Sequence, residues 1–105
     1  MYIARAFAQQ AQFFNAVARA VNQLGPQILS VTPTLGTDWS GEPAVFFLVV
    51  LADAVSRGDE LLNATNQAST ELVEQLQPLE EWGVIPYFNY RSQSEQAKVD
   101  RRSVA

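Results

Sequence analysis

Two residue types that carry much of enzyme and metal chemistry are missing from this chain of 105 residues, which has no cysteine and no histidine. Without cysteine, the chain cannot form disulfides, thiolate metal sites or a cysteine nucleophile. Without histidine, it lacks the commonest general base and the commonest transition-metal ligand. A Ser-His-Asp triad therefore cannot form within the chain. The sequence predicts a protein that is not an enzyme and binds no cofactor.

Positive charge is also scarce, with 7 Lys and Arg residues against 11 Asp and Glu residues and a net charge of −4. This balance disfavours non-specific binding to nucleic acids and to anionic membranes. No apolar run reaches the ~20 residues that span a bilayer. The first residues lack the basic and apolar regions of a signal peptide. We therefore expect a cytoplasmic protein with no membrane partner.

The chain does contain one continuous apolar run, Ala44 to Ala52, which follows the polar loop Gly36 to Pro43. A strand with one wet face alternates apolar and polar residues, so an unbroken run predicts a strand buried on both faces. Side chains alternate along a strand. One face would therefore carry Phe46, Leu48 and Val50.

Hydrophobic periodicity predicts five elements in the order α-β-β-α-β, which is a small α+β domain. Pro33 and Pro86 each lack the backbone N–H that would donate a hydrogen bond to a neighbouring strand. Their strands are therefore expected at the edges of a three-stranded mixed sheet in the order 1-2-3. A right-handed crossover makes the third strand parallel to the central one and places both helices on one face. The first helix is predicted over 2–24 and ends at Gly25-Pro26, and the strands are predicted over 28–35, 44–52 and 84–90. After a turn over 53–58, Asp59 caps a second helix. This helix ends or kinks near Pro78.

Two helices cover only one face of this sheet, which leaves Phe46, Leu48 and Val50 without cover. Their exposure would create an apolar patch of the kind that marks an interaction site. We therefore expect another protein, or a second copy of the chain in a homodimer, on this face. The alternatives are that the first helix crosses to it or that the C-terminal segment folds over it. Residues 1–91 are expected to form the domain, and 92–105 a polar tail or a short helix.

Side chains of the loop and of the third strand are candidates for the contact. Asp38 and Ser40 are expected to hold the turn by side-chain-to-backbone bonds, while Trp39 packs on the hairpin or on a partner. Aromatic residues on a strand beside an arginine can stack single-stranded bases, although they more often form a core or an interface. The candidate interaction residues are Asp38, Trp39, Ser40, Glu42, Phe46, Leu48, Val50, Tyr87, Tyr90 and Arg91.

Acidic residues are concentrated over 59–82, which contains no base. This segment is either a solvated face or a docking surface for a basic partner. A third hypothesis is a metal-dependent enzyme that uses the loop carboxylates Asp38 and Glu42 together with Asp53. Asp53 follows the far end of the central strand, roughly 30 Å away at ~3.3 Å per residue. One site cannot use all three carboxylates, so we predict no metal site.

The α-β-β-α-β order over roughly residues 3–90 resembles the topology of type II KH-like domains such as the ribosome-binding factor A family. The resemblance implies a nucleic-acid-binding module, although the chain lacks the Gly-x-x-Gly loop and the basic residues around it. Segments 36–44 and 87–95 also resemble strings in small bacterial proteins. The sequence thus favours a non-catalytic protein-protein interaction module, such as an inhibitor, an antitoxin-like neutraliser or an assembly factor. A KH-like nucleic-acid-binding domain is the alternative.

Overall fold

The chain folds into the elements that the sequence predicts, in the same order, with further short helices between and after them. The fold is taken from a computed structural model, which describes residues 3–55 and 58–104, with the side chains of 55, 58 and 99–104 excepted. The elements are helices α1 (Arg5–Ala8), α2 (Gln10–Val21), α3 (Gly58–Leu76), α4 (Pro78–Trp82) and α5 (Gln93–Val104), strands β1 (Ile28–Thr37), β2 (Pro43–Leu51) and β3 (Ile85–Ser92), and a 3₁₀ turn at Asp53–Val55.

The three strands form one mixed sheet in the predicted order, β1-β2-β3. β1 pairs antiparallel with β2, and β3 pairs parallel with β2 after the crossover through α3. Pro33 and Pro86 therefore both lie in edge strands, as predicted. The apolar run occupies the centre, where its backbone groups have a neighbouring strand on each side.

Pro33 sits in β1 without breaking the ladder to β2. The Asp38 N–H donates to the Glu42 carbonyl oxygen at 3.0 Å, in the same register that pairs β1 with β2. Antiparallel pairs alternate between those that exchange hydrogen bonds and those that do not. Asp38 bonds to Glu42, directly before β2, so residues of β1 at an odd distance from Asp38 point their backbone nitrogens away from β2. Pro33 lies at an odd distance from Asp38 in unbroken register, and its ring nitrogen therefore points away from β2. The missing donor is at the outer edge of the sheet.

Helices α2 and α3 pack on one face of the sheet and form the core with it. β2 contributes a row of buried side chains to this face, and α2 and α3 contribute apolar side chains at helical spacing. Phe47 of β2 stacks on Phe88 of β3 with ring centroids 5.3 Å apart. The core includes Phe13 and Val17 of α2, Val45, Phe47, Val49 and Leu51 of β2, and Leu72 and Leu76 of α3.

The predicted first helix is two helices, and this part of the prediction is wrong. Gln9 has φ −127° and ψ 57°, which separates α1 from α2, and α2 ends at Val21, before Gly25-Pro26. The turn at Gln9 lets α1 reach α4: the Arg5 guanidinium lies 4.4 Å from the Trp82 ring centroid and donates to the Glu81 carbonyl oxygen. These contacts are distant in sequence, so periodicity alone did not reveal the break. Residue 2 lies outside the described residues.

The second predicted helix ends where expected but begins earlier. α3 stops at Leu76, Gln77 takes a left-handed conformation with φ 46°, and Pro78 begins α4, because proline has no N–H to continue the α3 ladder. α3 already includes Gly58, which places Asp59 in its first turn rather than at the cap. Of the predicted turn 53–58, residues 53–55 form the 3₁₀ turn, and 56 and 57 lie outside the described residues.

The segment after β3 is a helix, α5, with a fixed start. Ser92 Oγ accepts the Glu95 N–H at 3.1 Å, and the Glu95 carboxylate accepts the Ser92 N–H at 3.2 Å. These reciprocal bonds form a capping box, and the bonds from Ser92 lower the pKa of Glu95. Asp53 accepts bonds from the N–H and hydroxyl of Ser94 at 3.0 and 2.6 Å. The start of α5 is therefore tied to the turn that follows β2.

Candidate interaction surface

The face of the sheet opposite α2 and α3 is called the open face. Strand register fixes its composition, because directly paired residues of neighbouring strands point to the same side. Phe46 pairs with Thr34 on one side and Tyr87 on the other, and the same alternation continues along the strands. The open face consists of Ser30, Thr32 and Thr34 of β1, Phe46, Leu48 and Val50 of β2, and Tyr87, Asn89 and Arg91 of β3.

Exposure differs along the open face. Phe46 is 36% exposed, whereas Val50, at the other end of the row, is 8% exposed, and Leu48 between them is half-buried. Beside Val50, the Arg91 guanidinium donates to the Gln96 side chain of α5 at 3.3 Å, and α5 contacts both β2 and β3. The expectation that all three apolar residues lack cover is therefore wrong for Val50. The alternative that the C-terminal segment covers this face applies at that end only.

Residues 38–42 join β1 to β2 at the exposed end, and the bond between Asp38 and Glu42 leaves three of these residues in the hairpin loop. The Gly41 N–H donates to the Asp38 carbonyl oxygen at 3.0 Å, and Gly41 has φ 85°. Three-residue hairpin loops commonly end on a residue in this left-handed region, which glycine adopts without steric cost. The loop Trp39-Ser40-Gly41 is thus a tight turn whose geometry the backbone determines.

The Asp38 carboxylate holds this loop and also reaches the third strand. Its Oδ1 accepts the Ser40 N–H at 2.9 Å, the Ser40 hydroxyl at 2.6 Å and the Glu42 N–H at 3.0 Å. Its Oδ2 accepts the Tyr87 hydroxyl at 2.8 Å. The first set confirms the predicted side-chain-to-backbone bonds for Asp38, whereas the Ser40 hydroxyl bonds to the Asp38 side chain instead of the backbone. The bond to Tyr87 was not predicted, and it fixes the hairpin loop to β3.

These bonds stabilise the charge state that each partner has at neutral pH. Hydrogen bonds from Ser40 and then Tyr87 lower the pKa of Asp38 from 3.8 to about 2. The same carboxylate raises the pKa of Tyr87 above its ordinary value of 10, because the Tyr87 hydroxyl donates to it. At neutral pH Asp38 is therefore an anion and Tyr87 a neutral donor. The bonds to the Asp38 carboxylate are charge-assisted, which makes them stronger than neutral ones.

Trp39, Phe46 and Tyr87 form an aromatic cluster, called the aromatic patch, at the loop end of the open face. The Tyr87 ring stacks on Phe46 with centroids 5.4 Å apart and 18° between planes. The Trp39 ring lies 5.3 Å from Tyr87, tilted by 59°, and Trp39 is 86% exposed. The ring that Trp39 contacts is in β3 and not in the hairpin, so the expectation that Trp39 packs on the hairpin or on a partner stays a prediction. Nearly all of its indole is available for contact.

Tyr90 and Glu42 are two candidate residues that do not belong to the aromatic patch. Tyr90 is on the helix side of β3, where it stacks with Phe88 and donates its hydroxyl to the Thr65 carbonyl oxygen of α3 at 3.0 Å. Burial raises the pKa of its hydroxyl. The spacing of three residues between Tyr87 and Tyr90 already implies opposite faces. Glu42 contributes its backbone to the turn, and its side chain is exposed.

Within the described residues, no three Asp or Glu side chains converge on a position that a metal ion could occupy. No helix in the same part of the chain has both the length and the apolar content to cross a membrane. Comparisons of the chain with protein-family models, curated proteins and solved structures give no match.

Proposed function

We propose that the protein is a non-catalytic interaction module that binds another protein through the aromatic patch. The observation that carries this proposal is the exposure of Trp39, an 86% exposed indole held against Tyr87. Tryptophan and tyrosine are the residues most enriched among interface hot spots. An inhibitor, an antitoxin-like neutraliser and an assembly factor would each use such a surface.

The surroundings of the aromatic patch have the layout of an interface. Leu48 extends the apolar area along β2, and Thr32, Thr34 and Asn89 flank it on the neighbouring strands. An apolar centre with a polar rim is typical of protein-protein interfaces. The bonds to Asp38 hold the loop in place before a partner arrives. Such preorganisation reduces the entropy lost on binding.

Affinity purification with three baits tests the proposal. The baits are the wild type, Trp39→Ala and Leu79→Ala, where Leu79 is an exposed apolar residue on α4. We expect the wild type and Leu79→Ala to retain a common protein that Trp39→Ala loses. A hot-spot loss of at least ~2 kcal/mol corresponds to about 30-fold weaker binding, which a titration of the recovered protein measures. Equal affinity of all three baits for every recovered protein would contradict the proposal.

A second candidate function is the binding of single-stranded nucleic acid. The observation in its favour is the stacked pair Phe46 and Tyr87 on adjacent strands beside an exposed Trp39, an arrangement that can stack bases. Arg91 is the one basic residue of the open face, and it bonds to Gln96. Filter binding with single-stranded RNA at low and physiological salt distinguishes this candidate function from protein binding. Tight binding that weakens steeply with salt would favour this candidate, since phosphate contacts produce that dependence.

A further inference from the structure

One stretch of the chain is almost free of charge. Arg19 is the only charged residue between Ala6 and Thr37, in a chain that is 17% charged. This stretch contains all of α2 and β1. Arg19 lies with Gln23 and Gln75 on the side of α2 that faces α3. The other side of α2 together with β1 is called the uncharged edge, and its main side chains are Phe14, Val17, Ala18 and Val21 of α2 and Val31 and Pro33 of β1.

A groove runs along the uncharged edge between α2 and the outermost strand. Its volume is about 610 Å³, and its walls are mainly apolar, with Val17 and Val21 on α2 facing Val31 on β1. Phe14 stands at one wall and is 38% exposed. The groove therefore has an apolar floor, and an apolar side chain projects beside it.

An added strand is a poor occupant for this edge. The ring nitrogen of Pro33 points outward from the sheet, as the register shows. A strand that paired with β1 would therefore lack a donor near the middle of β1. Side-chain contacts in the groove, rather than extension of the sheet, are the mode of binding that remains.

We infer that the uncharged edge is the interface of a two-fold homodimer in which Phe14 of each copy enters the groove of the other. A two-fold interface needs a surface that complements itself, and here the projecting side chain and the groove share one surface. Each copy carries a net charge of −4, so two copies repel each other wherever acidic segments meet. The uncharged edge avoids this repulsion. Depletion of charge is also the compositional mark of an interface core.

The size of the uncharged edge fits a weak dimer. β1 has 10 residues and is therefore about 33 Å long, whereas α2 has 12 residues and is about 18 Å long. At a width of about 10 Å for each element, the edge offers roughly 500 Å² for each copy. Standard stable interfaces bury about 800 Å² per partner, and transient interfaces bury less. The groove lies on the helix side of the sheet, so a dimer formed here leaves the aromatic patch of each copy free.

Sedimentation equilibrium on the full chain tests this inference. We expect the wild type to dimerise with a Kd of about 100 µM or tighter, since a small interface forms a weak complex. Ala18→Glu places a charge at an exposed helical position of the groove, where glutamate is well tolerated by a helix. Ala18→Glu and Phe14→Asp should each weaken the dimer at least tenfold. Circular dichroism then checks that both variants remain folded.

Two controls separate this inference from the proposed function. Ala97→Glu makes the same substitution at an exposed position of α5, and Trp39→Ala alters the aromatic patch, and both should dimerise like the wild type. A wild type that is monomeric at about 100 µM would overturn the inference and leave the groove to a different chain. A dimer that survives Ala18→Glu and Phe14→Asp but is lost in Phe46→Asp would also overturn it, because the contact would then use the open face.

Discussion

Neighbouring residues of β2 meet two different environments. Val45, Phe47, Val49 and Leu51 point to the helices and are buried, whereas Phe46 and Leu48 point to the open face and remain partly exposed. The two sets are equally apolar in sequence. The two sets differ in burial because α2 and α3 both lie on one side of the sheet and cover only the side chains that point to that side. Phe46 and Leu48 are therefore apolar side chains that folding leaves partly exposed.

The largest effect is expected from comparing the two adjacent phenylalanines. Phe47→Ala removes a fully buried ring that stacks on Phe88 and should lower the free energy of unfolding by about 3–5 kcal/mol. Phe46→Ala removes a ring that is already partly in water, so its loss should be about 1 kcal/mol or less. Urea unfolding followed by circular dichroism measures both. Equal losses would show that the open face is covered in solution.

A smaller effect is expected at the closed end of the open face. Ser92→Ala removes the hydroxyl that caps α5 and should cost about 1 kcal/mol, as the loss of other N-caps does. Hydrogen exchange of the amides at 94–98 should become faster, because the first turn of α5 opens more often. Gln93→Ala keeps the capping box and serves as the control. Similar protection in both variants would show that α5 does not depend on this cap.

The smallest effect concerns the loop end and depends on pH. The pKa of Asp38 is lowered on folding to about 2, so its contribution to stability is complete above its unfolded value of 3.8 and is lost as the pH falls through about 2. Tyr87→Phe removes one of the bonds to the carboxylate and should move the pKa of Asp38 upward. An NMR titration of the Asp38 carboxyl carbon measures the change. An unchanged pKa would show that the Tyr87 hydroxyl does not bond to Asp38 in solution.

Much of the sheet could be predicted because its determinants are local. The unbroken apolar run places β2 in the centre, and Pro33 and Pro86 place their strands at the edges. The turn function of Asp38 and Ser40 follows from residues two to four positions apart. Such features need no knowledge of the rest of the chain.

The features that were missed are of two kinds. The break at Gln9 and the bond from Tyr87 to Asp38 depend on residues far apart in the chain, and no local pattern encodes them. The capping box of Ser92 and Glu95 has a recognisable local spacing, which was available in the sequence. A short helix over 92–105 was one of the predicted alternatives, but its attachment to the turn that follows β2 was not predicted.

The two tryptophans of the chain give the molecule a pair of independent optical signals. Trp82 is 7% exposed, and its ring meets the edge of Phe13 at 5.2 Å between centroids, so its emission should be blue-shifted and shielded from acrylamide. Trp39 has almost its whole indole in water, so its emission should be red-shifted and readily quenched. Loss of the shielded component reports unfolding, and protection of the quenchable component reports that a ligand has covered the loop. Both events can therefore be followed in one cuvette without any label.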